Sequence, residues 1–228
     1  LRTRALPTTP PPEVPVHVLV VVGHPLPDSF NHALAQSYAD AARAAGAQVR
    51  VLDLAATPFP HDPPSRRALA AHDGTTDHLE PEVAALVEHV RWADHLVVTH
   101  PQWWGTYPAV LKAFLDRVLL AGVAFRYTKG HAPRRLLRGR TARTFMTMDS
   151  PKPWNLLAYR DAAGASLGTA TLAFTGHRLV GRTTFAPVRF STPERRERWL
   201  ATAARLGRRD VARLTARHRA RTPVAVAA

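Results

Sequence analysis

The sequence has 228 residues and no cysteine, enough chain for one large domain with a substantial core and incompatible with disulfides, thiolate metal sites or a cysteine nucleophile. Its formal net charge is +14, with 28 arginines against three lysines. The arginine runs at 132–143 and 193–221 match no zinc-finger, RRM or KH pattern, so no nucleic-acid partner is expected.

Residues 1–15 contain five prolines and no hydrophobic period and read as a disordered arm. Residues 16–220 read as a single domain, and 221–228 as a loose tail. The apolar run at 17–23 suits a parallel strand covered on both faces and is far too short to span a bilayer, so no membrane insertion is expected. An amphipathic helix over 29–46 follows, carrying Phe30, Ala33, Leu34, Tyr38, Ala41 and Ala42 on one face and stopping at Gly46. Residues 48–54 alternate like a strand near a sheet edge.

Residues 55–80, rich in Pro, His and Asp, form a long connection. Its His72, Asp73, Asp77 and His78 lack the helical or hairpin spacing of a metal site, and no metal is expected. A helix with proline in its first turn runs from 81 to 91, then a strand from 94 to 100. The next helix buries Leu111, Phe114, Leu115, Val118 and Leu119. Residues 141–148 read as a fourth strand, 165–175 as a helix and 178–188 as a fifth strand. Ser191, Thr192 and Pro193 open a last helix with Trp199, Ala203, Leu206, Val211 and Leu214 facing inward.

Strands alternating with helices imply right-handed crossovers and a doubly wound α/β parallel sheet. Ligands of such sheets sit outside the carboxyl ends of the strands, where strand order reverses. Three segments leave those ends: GHPLPDSFN at 23–31, HPQWWGTYP at 100–108 and MDSPKPWN at 148–155. The first enters a helix whose unpaired N–H groups and dipole suit a phosphate, with His24, Ser29 and Asn31 as side-chain donors; Asp28 or Ser29 serving only as a cap is the other reading. It contains neither GxGxxG nor GxxxxGK[ST], which argues against a dinucleotide fingerprint and a nucleoside triphosphatase. In the second, Pro101 and Pro108 stiffen the backbone, Gly105 permits close approach, and Trp103 with Trp104 offers a planar wall for a flat ring.

The stretch HPQWWGTYPAVLKAFLDRVLLAGVAFRY, with GHPLPDSFNHALA, resembles the flavodoxin-like NAD(P)H:quinone oxidoreductases, which include bacterial quinone reductases and ancillary flavoproteins of potassium-efflux systems. The resemblance runs from about Val16 to Gly207. It implies a five-stranded sheet in the order 2-1-3-4-5 and a flavin, FMN in preference to FAD, with its phosphate at His24, Ser29, Phe30 and Asn31. It places the flavin ring against Pro101, Gln102, Trp103 and Trp104, with Gly105 and Tyr107 at the pocket mouth. Thr147, Met148, Asp149 and Ser150 match the third flavin segment, although glycines are common there in relatives. Phe125 and Tyr127 match aromatic positions of the substrate pocket, often across a dimer interface. Mammalian members use a tyrosine and a histidine after the fourth strand; here Tyr159 is present without a histidine, and Trp154 and Tyr159 are read as pocket walls.

The implied activity is transfer of a hydride from NADH or NADPH through the flavin to a quinone or similar aromatic acceptor, by a ping-pong mechanism, in a cytoplasmic homodimer. The alternatives are a regulatory flavoprotein subunit of a membrane transport system and a tailoring reductase for a polycyclic aromatic metabolite.

Overall fold

Alternating side chains of one valine-rich strand divide the core of this protein in two. The computed structural model describes residues 15–71, 73–130 and 132–221; His72, the predicted arm before Pro15 and the predicted tail at 222–228 lie outside them. In chain order the elements are β1 (His17–Val22), α1 (Phe30–Ala44), β2 (Gln48–Asp53), a 3-10 turn (Arg66–Leu69), α2 (Pro81–Trp92), β3 (His95–Pro101), α3 (Ala109–Val118), β4 (Phe125–Arg126), β5 (Arg134–Arg135), β6 (Thr141–Thr147), α4 (Lys152–Leu157), α5 (Ala162–Gly164), a π-helical segment (Ala165–Ala173), β7 (Arg178–Phe185) and α6 (Pro193–Arg221). Leu19 and Val21 of β1 pack into a cluster with α2 and α3, whereas Val18, Val20 and Val22 join α1 and α6 on the other face. Period-two alternation in a strand buried on both sides produces this split, and each fully buried valine or leucine contributes about 1.5–3 kcal/mol.

The main sheet has the order β2-β1-β3-β6-β7, and every neighbouring pair is parallel. This is the expected order, with β6 and β7 as the fourth and fifth strands. The inward stripe predicted for the last helix is also present: Ala203, Leu206, Val211 and Leu214 are buried, and Trp199 packs against them. Among the described residues no helix is long and apolar enough to cross a membrane.

The local departures have physical causes. Strand β7 ends at Phe185 and not at 188, because Pro187 brings no N–H to the ladder. The predicted helix at 165–175 begins earlier, at Ala162, and winds as a π-helix from Ala165. Its buried Leu167 and Leu172 stand five residues apart, matching an i→i+5 ladder. The short helix α4 and the β4–β5 hairpin have no sequence period long enough to announce them. Helix α6 extends to Arg221, one residue into the predicted tail.

Helices α1 and α6 meet at Gly207, where a Cβ would stand 2.6 Å from the backbone oxygen of Tyr38. Gly207→Ala is therefore expected to cost about 1–3 kcal/mol by overpacking. The check is a lowered denaturant midpoint at an unchanged slope.

Candidate functional site

The segment between β1 and α1 presents the start of a helix to the carboxyl edge of the sheet. Ser29 is the extended N-cap, and His32 fills the place that glutamate takes in a capping box. The Ser29 N–H donates to His32 Nδ1 at 3.2 Å, and the Ser29 hydroxyl lies 2.8 Å from the same nitrogen. The amides of Phe30 and Asn31, in the first turn, have no intrahelical acceptor. Asn31 is 2 % exposed. Its Nδ2 donates to Thr147 Oγ1 at 3.0 Å, fastening α1 to the end of β6, while its buried Oδ1 has no partner. His24 Nδ1 accepts from the Leu26 N–H at 3.1 Å, the tautomer that leaves the ring proton on Nε2, and burial lowers the imidazole pKa below its ordinary value. A neutral ring with its Nε2 edge remaining is what His24 offers a ligand.

After β3 the chain makes a two-residue reversal. The N–H of Thr106 donates to the Trp103 carbonyl and that of Trp103 to the Thr106 carbonyl, both at 2.9 Å. Trp104 has φ +50° and Gly105 φ +77°, the signature of a type I′ turn. Glycine fits the second central position freely, but a tryptophan at the first is a bulky residue in the left-handed region, which is rare and strained. The turn throws Trp104 into solvent, at 102 % relative exposure, while Trp103 is 42 % exposed and meets His24 edge-to-face at 5.7 Å. Neither tryptophan anchors the core. The Gln102 N–H donates to the Thr147 carbonyl at 2.7 Å, so the turn is held against β6.

Beyond β6, the Asp149 carboxylate accepts from the Arg189 N–H at 2.9 Å and pairs with its guanidinium at 3.3 Å. Its charge is thus directed to the segment after β7. The three segments enclose a cavity of about 280 Å³ lined by His24, Ser29, Phe30, Asn31, Pro101, Gln102, Trp103, Thr147, Met148, Asp149, Ser150 and Val188. Eleven of the twelve are sequence-predicted cofactor residues. Val188 is the addition; its N–H donates to the Met148 carbonyl at 3.0 Å, a pairing across forty residues that no sequence spacing signals.

The remaining predicted residues fall elsewhere. Trp104 and Gly105 do not line this cavity. Tyr107, Phe125 and Tyr127 line a separate groove of about 460 Å³, where the Tyr107 hydroxyl stands 3.1 Å from Ser166 Oγ. Trp154 is exposed on α4, and Tyr159 flanks the turn, 3.8 Å from where a Gly105 Cβ would stand. Sequence reasoning also missed a polar chain behind the turn. Gln102 Nε2 donates to Asn155 Oδ1, Asn155 Nδ2 donates to Asp161 at 3.3 Å, and Arg182 donates to Asp161 at 2.8 Å. His100, beneath the turn, donates from Nδ1 to the Pro101 carbonyl at 3.0 Å, and burial pushes its pKa down to about 4.

Residues 16–207 match the family described by its flavodoxin-like fold. The chain belongs to this family. Among its relatives, the FMN-dependent NADH:quinone oxidoreductase of Alcanivorax borkumensis is 32% identical over 167 residues, covering 68% of this chain and 77% of that protein. The solved structure of Smu.1420 from Streptococcus mutans UA159 is 27% identical, with a TM-score of 0.71 over 85% of this chain and all of that one. The NAD(P)H:quinone oxidoreductase from Methanothermobacter marburgensis, at 22% identity, shares the fold with a TM-score of 0.71, covering 86% of this chain and 98% of its own.

Proposed function

We propose that this protein is a flavin-dependent NAD(P)H oxidoreductase that holds FMN at the β1–β3–β6 edge and reduces a quinone or a similar aromatic acceptor. The observation that carries the reading is the buried, unpartnered Oδ1 of Asn31, which shares one cavity with Ser29 and Trp103 at the start of α1. A buried acceptor without a donor costs free energy until a ligand supplies one. The donor set fits FMN: the Phe30 and Asn31 amides, Ser29 and His24 suit a phosphate, Asn31 Oδ1 suits a hydroxyl of the ribityl chain, and the Trp103 indole suits a flat ring. FMN is favoured over FAD by the FMN-dependent relative.

Bound flavin supplies the hydride chemistry. The protein's residues bind and orient. The Gln102 and Trp103 amides already have carbonyl partners, so on this turn the Trp103 indole, and not a backbone N–H, is what meets a ligand. Prolines 101 and 108 and the chain from Gln102 to Arg182 hold the turn still, which favours a reactive geometry over a mobile one. Electron donor, either NADH or NADPH, and acceptor would take turns in the one pocket, by ping-pong exchange. In this reading a second copy of the chain covers the exposed Tyr127 side of the groove, making a homodimer, and the enzyme works in the cytoplasm.

Denaturing the purified protein and weighing the released cofactor is expected to yield FMN, and the loaded protein is expected to reduce a small quinone with NAD(P)H, giving parallel double-reciprocal lines. Failure to bind any flavin, or a loaded protein without turnover, would overturn the proposal.

A further inference from the structure

At the opposite edge of the sheet, where the strands begin, lies a cavity of about 430 Å³ lined by residues of β3, β6, β7 and the last turns of α6. Three arginines face it: Arg178, Arg213 and Arg217. None of the three has a carboxylate partner among the described residues. Arg217 NH1 is buried and makes no hydrogen bond. His95, fully buried on the same wall, is directed within the fold, its Nε2 standing 3.6 Å from Asp210. A desolvated donor such as that of Arg217 is costly unless something outside the fold accepts from it. The one carboxylate on the wall, Asp210, is engaged by Arg143 on both oxygens and by the Tyr38 hydroxyl.

A smaller hollow of about 190 Å³ shares Leu214 and Arg217 with this cavity and adds Arg138, Arg140, His218 and Asp94, whose carboxylate accepts from the His17 N–H at 3.0 Å. Arg140 is committed to the carbonyls of Val90 and Ala93, which leaves Arg138 exposed beside the opening. The cavity therefore has guanidinium forks from two separate elements, β7 and α6, with Arg138 beside the adjoining hollow. Such forks match the several oxygens of a phosphate group better than a single carboxylate, and arginine holds its charge at every relevant pH. Leu179, Val180 and Leu214 supply an apolar wall, against which an organic moiety packs.

We propose that this cavity binds a small phosphorylated metabolite of the nucleoside diphosphate class, at a site separate from the one at the carboxyl edge. The proposal does not rest on the flavin reading, since the two sites lie at opposite ends of the strands. It also gives a use to part of the cationic surplus that the +14 charge represents: a built pocket for a small anion in place of a diffuse polyanion face.

The test is isothermal titration of the full chain, with and without FMN present, using ADP and inorganic pyrophosphate as probes. Saturable one-site binding of ADP is expected, weakened by at least about tenfold in Arg178→Glu and in Arg213→Glu. Both side chains are exposed, so the variants keep the fold, and an unchanged denaturant midpoint verifies it. Arg217→Gln is expected to weaken ADP without altering FMN. Three results would each overturn the proposal: no binding of either probe at millimolar concentration, binding indifferent to the three substitutions, and binding confined to a long oligonucleotide with a steep salt dependence, which marks a polyanion surface instead.

Discussion

Trp103→Ala is expected to raise the dissociation constant for FMN by about tenfold or more, the loss of one aromatic stacking surface, while the unfolding midpoint of the apoprotein stays nearly unchanged. Trp103 is 42 % exposed and belongs to no core cluster, so folding draws little on it. Trp104→Gly is expected to behave in the opposite way. Removing a bulky side chain from a positive-φ position relieves strain of about 1 kcal/mol, so the variant gains stability. FMN affinity changes little, and KM for the aromatic acceptor rises because the exposed indole at the turn tip is gone. Fluorescence titration of FMN, denaturant unfolding and steady-state kinetics on the two variants separate these effects. If Trp103→Ala loses stability and FMN affinity in parallel, the indole is a packing residue and the site assignment fails.

That contrast between adjacent tryptophans marks where the sequence stops being legible. The doubly wound sheet follows from strands such as Val18–Val22, whose β-branched run can be buried only on both faces. It also places the first, third and fourth strand ends together, and eleven of the predicted cofactor residues meet in one cavity for that reason, Trp104 and Gly105 standing outside it. Which tryptophan faces inward was not readable. Type I′ turns favour Asn-Gly or Asp-Gly at their centre, and Trp-Gly gives no such signal. The pairing of Gln102 with Asn155 spans 53 residues, and only tertiary structure decides it. Likewise, Tyr107, Phe125 and Tyr127 share a groove with the π-helical segment rather than the cavity at the carboxyl edge, because α3 and the β4–β5 hairpin carry them to another side of the fold.

The largest stability effect is expected at the other edge, in the ion pair that fastens α6 to the sheet. Arg143 donates to Asp210 through Nε at 2.5 Å and through NH2 at 2.8 Å, and Tyr38 donates to the same carboxylate at 3.0 Å. Arg143 is 3% exposed and Asp210 2%. Burial by itself raises the Asp210 pKa, but the hydrogen bonds and charge of Arg143, with His95 alongside, outweigh it and hold the carboxyl well below its usual range. Burial, with Asp210 beside the hydroxyl, pushes the Tyr38 phenol up, so it stays protonated as a donor. Asp210→Ala strands a buried guanidinium and is expected to cost about 3–5 kcal/mol.

The pH dependence has a definite sign. A carboxyl with a depressed folded-state pKa contributes stability above its unfolded value, near pH 4, and loses it only as pH falls toward the lower folded value. The stability gap between wild type and Asp210→Ala is therefore expected to stay constant from neutral pH down to about 5 and to narrow below about 4. Replacing both partners, as Arg143→Met with Asp210→Leu, removes the stranded charge and is expected to cost less than Asp210→Ala alone. Denaturant unfolding across that pH range checks both statements. A gap that already closes between pH 7 and 5 would mean that another group, and not this carboxylate, holds α6 to the sheet.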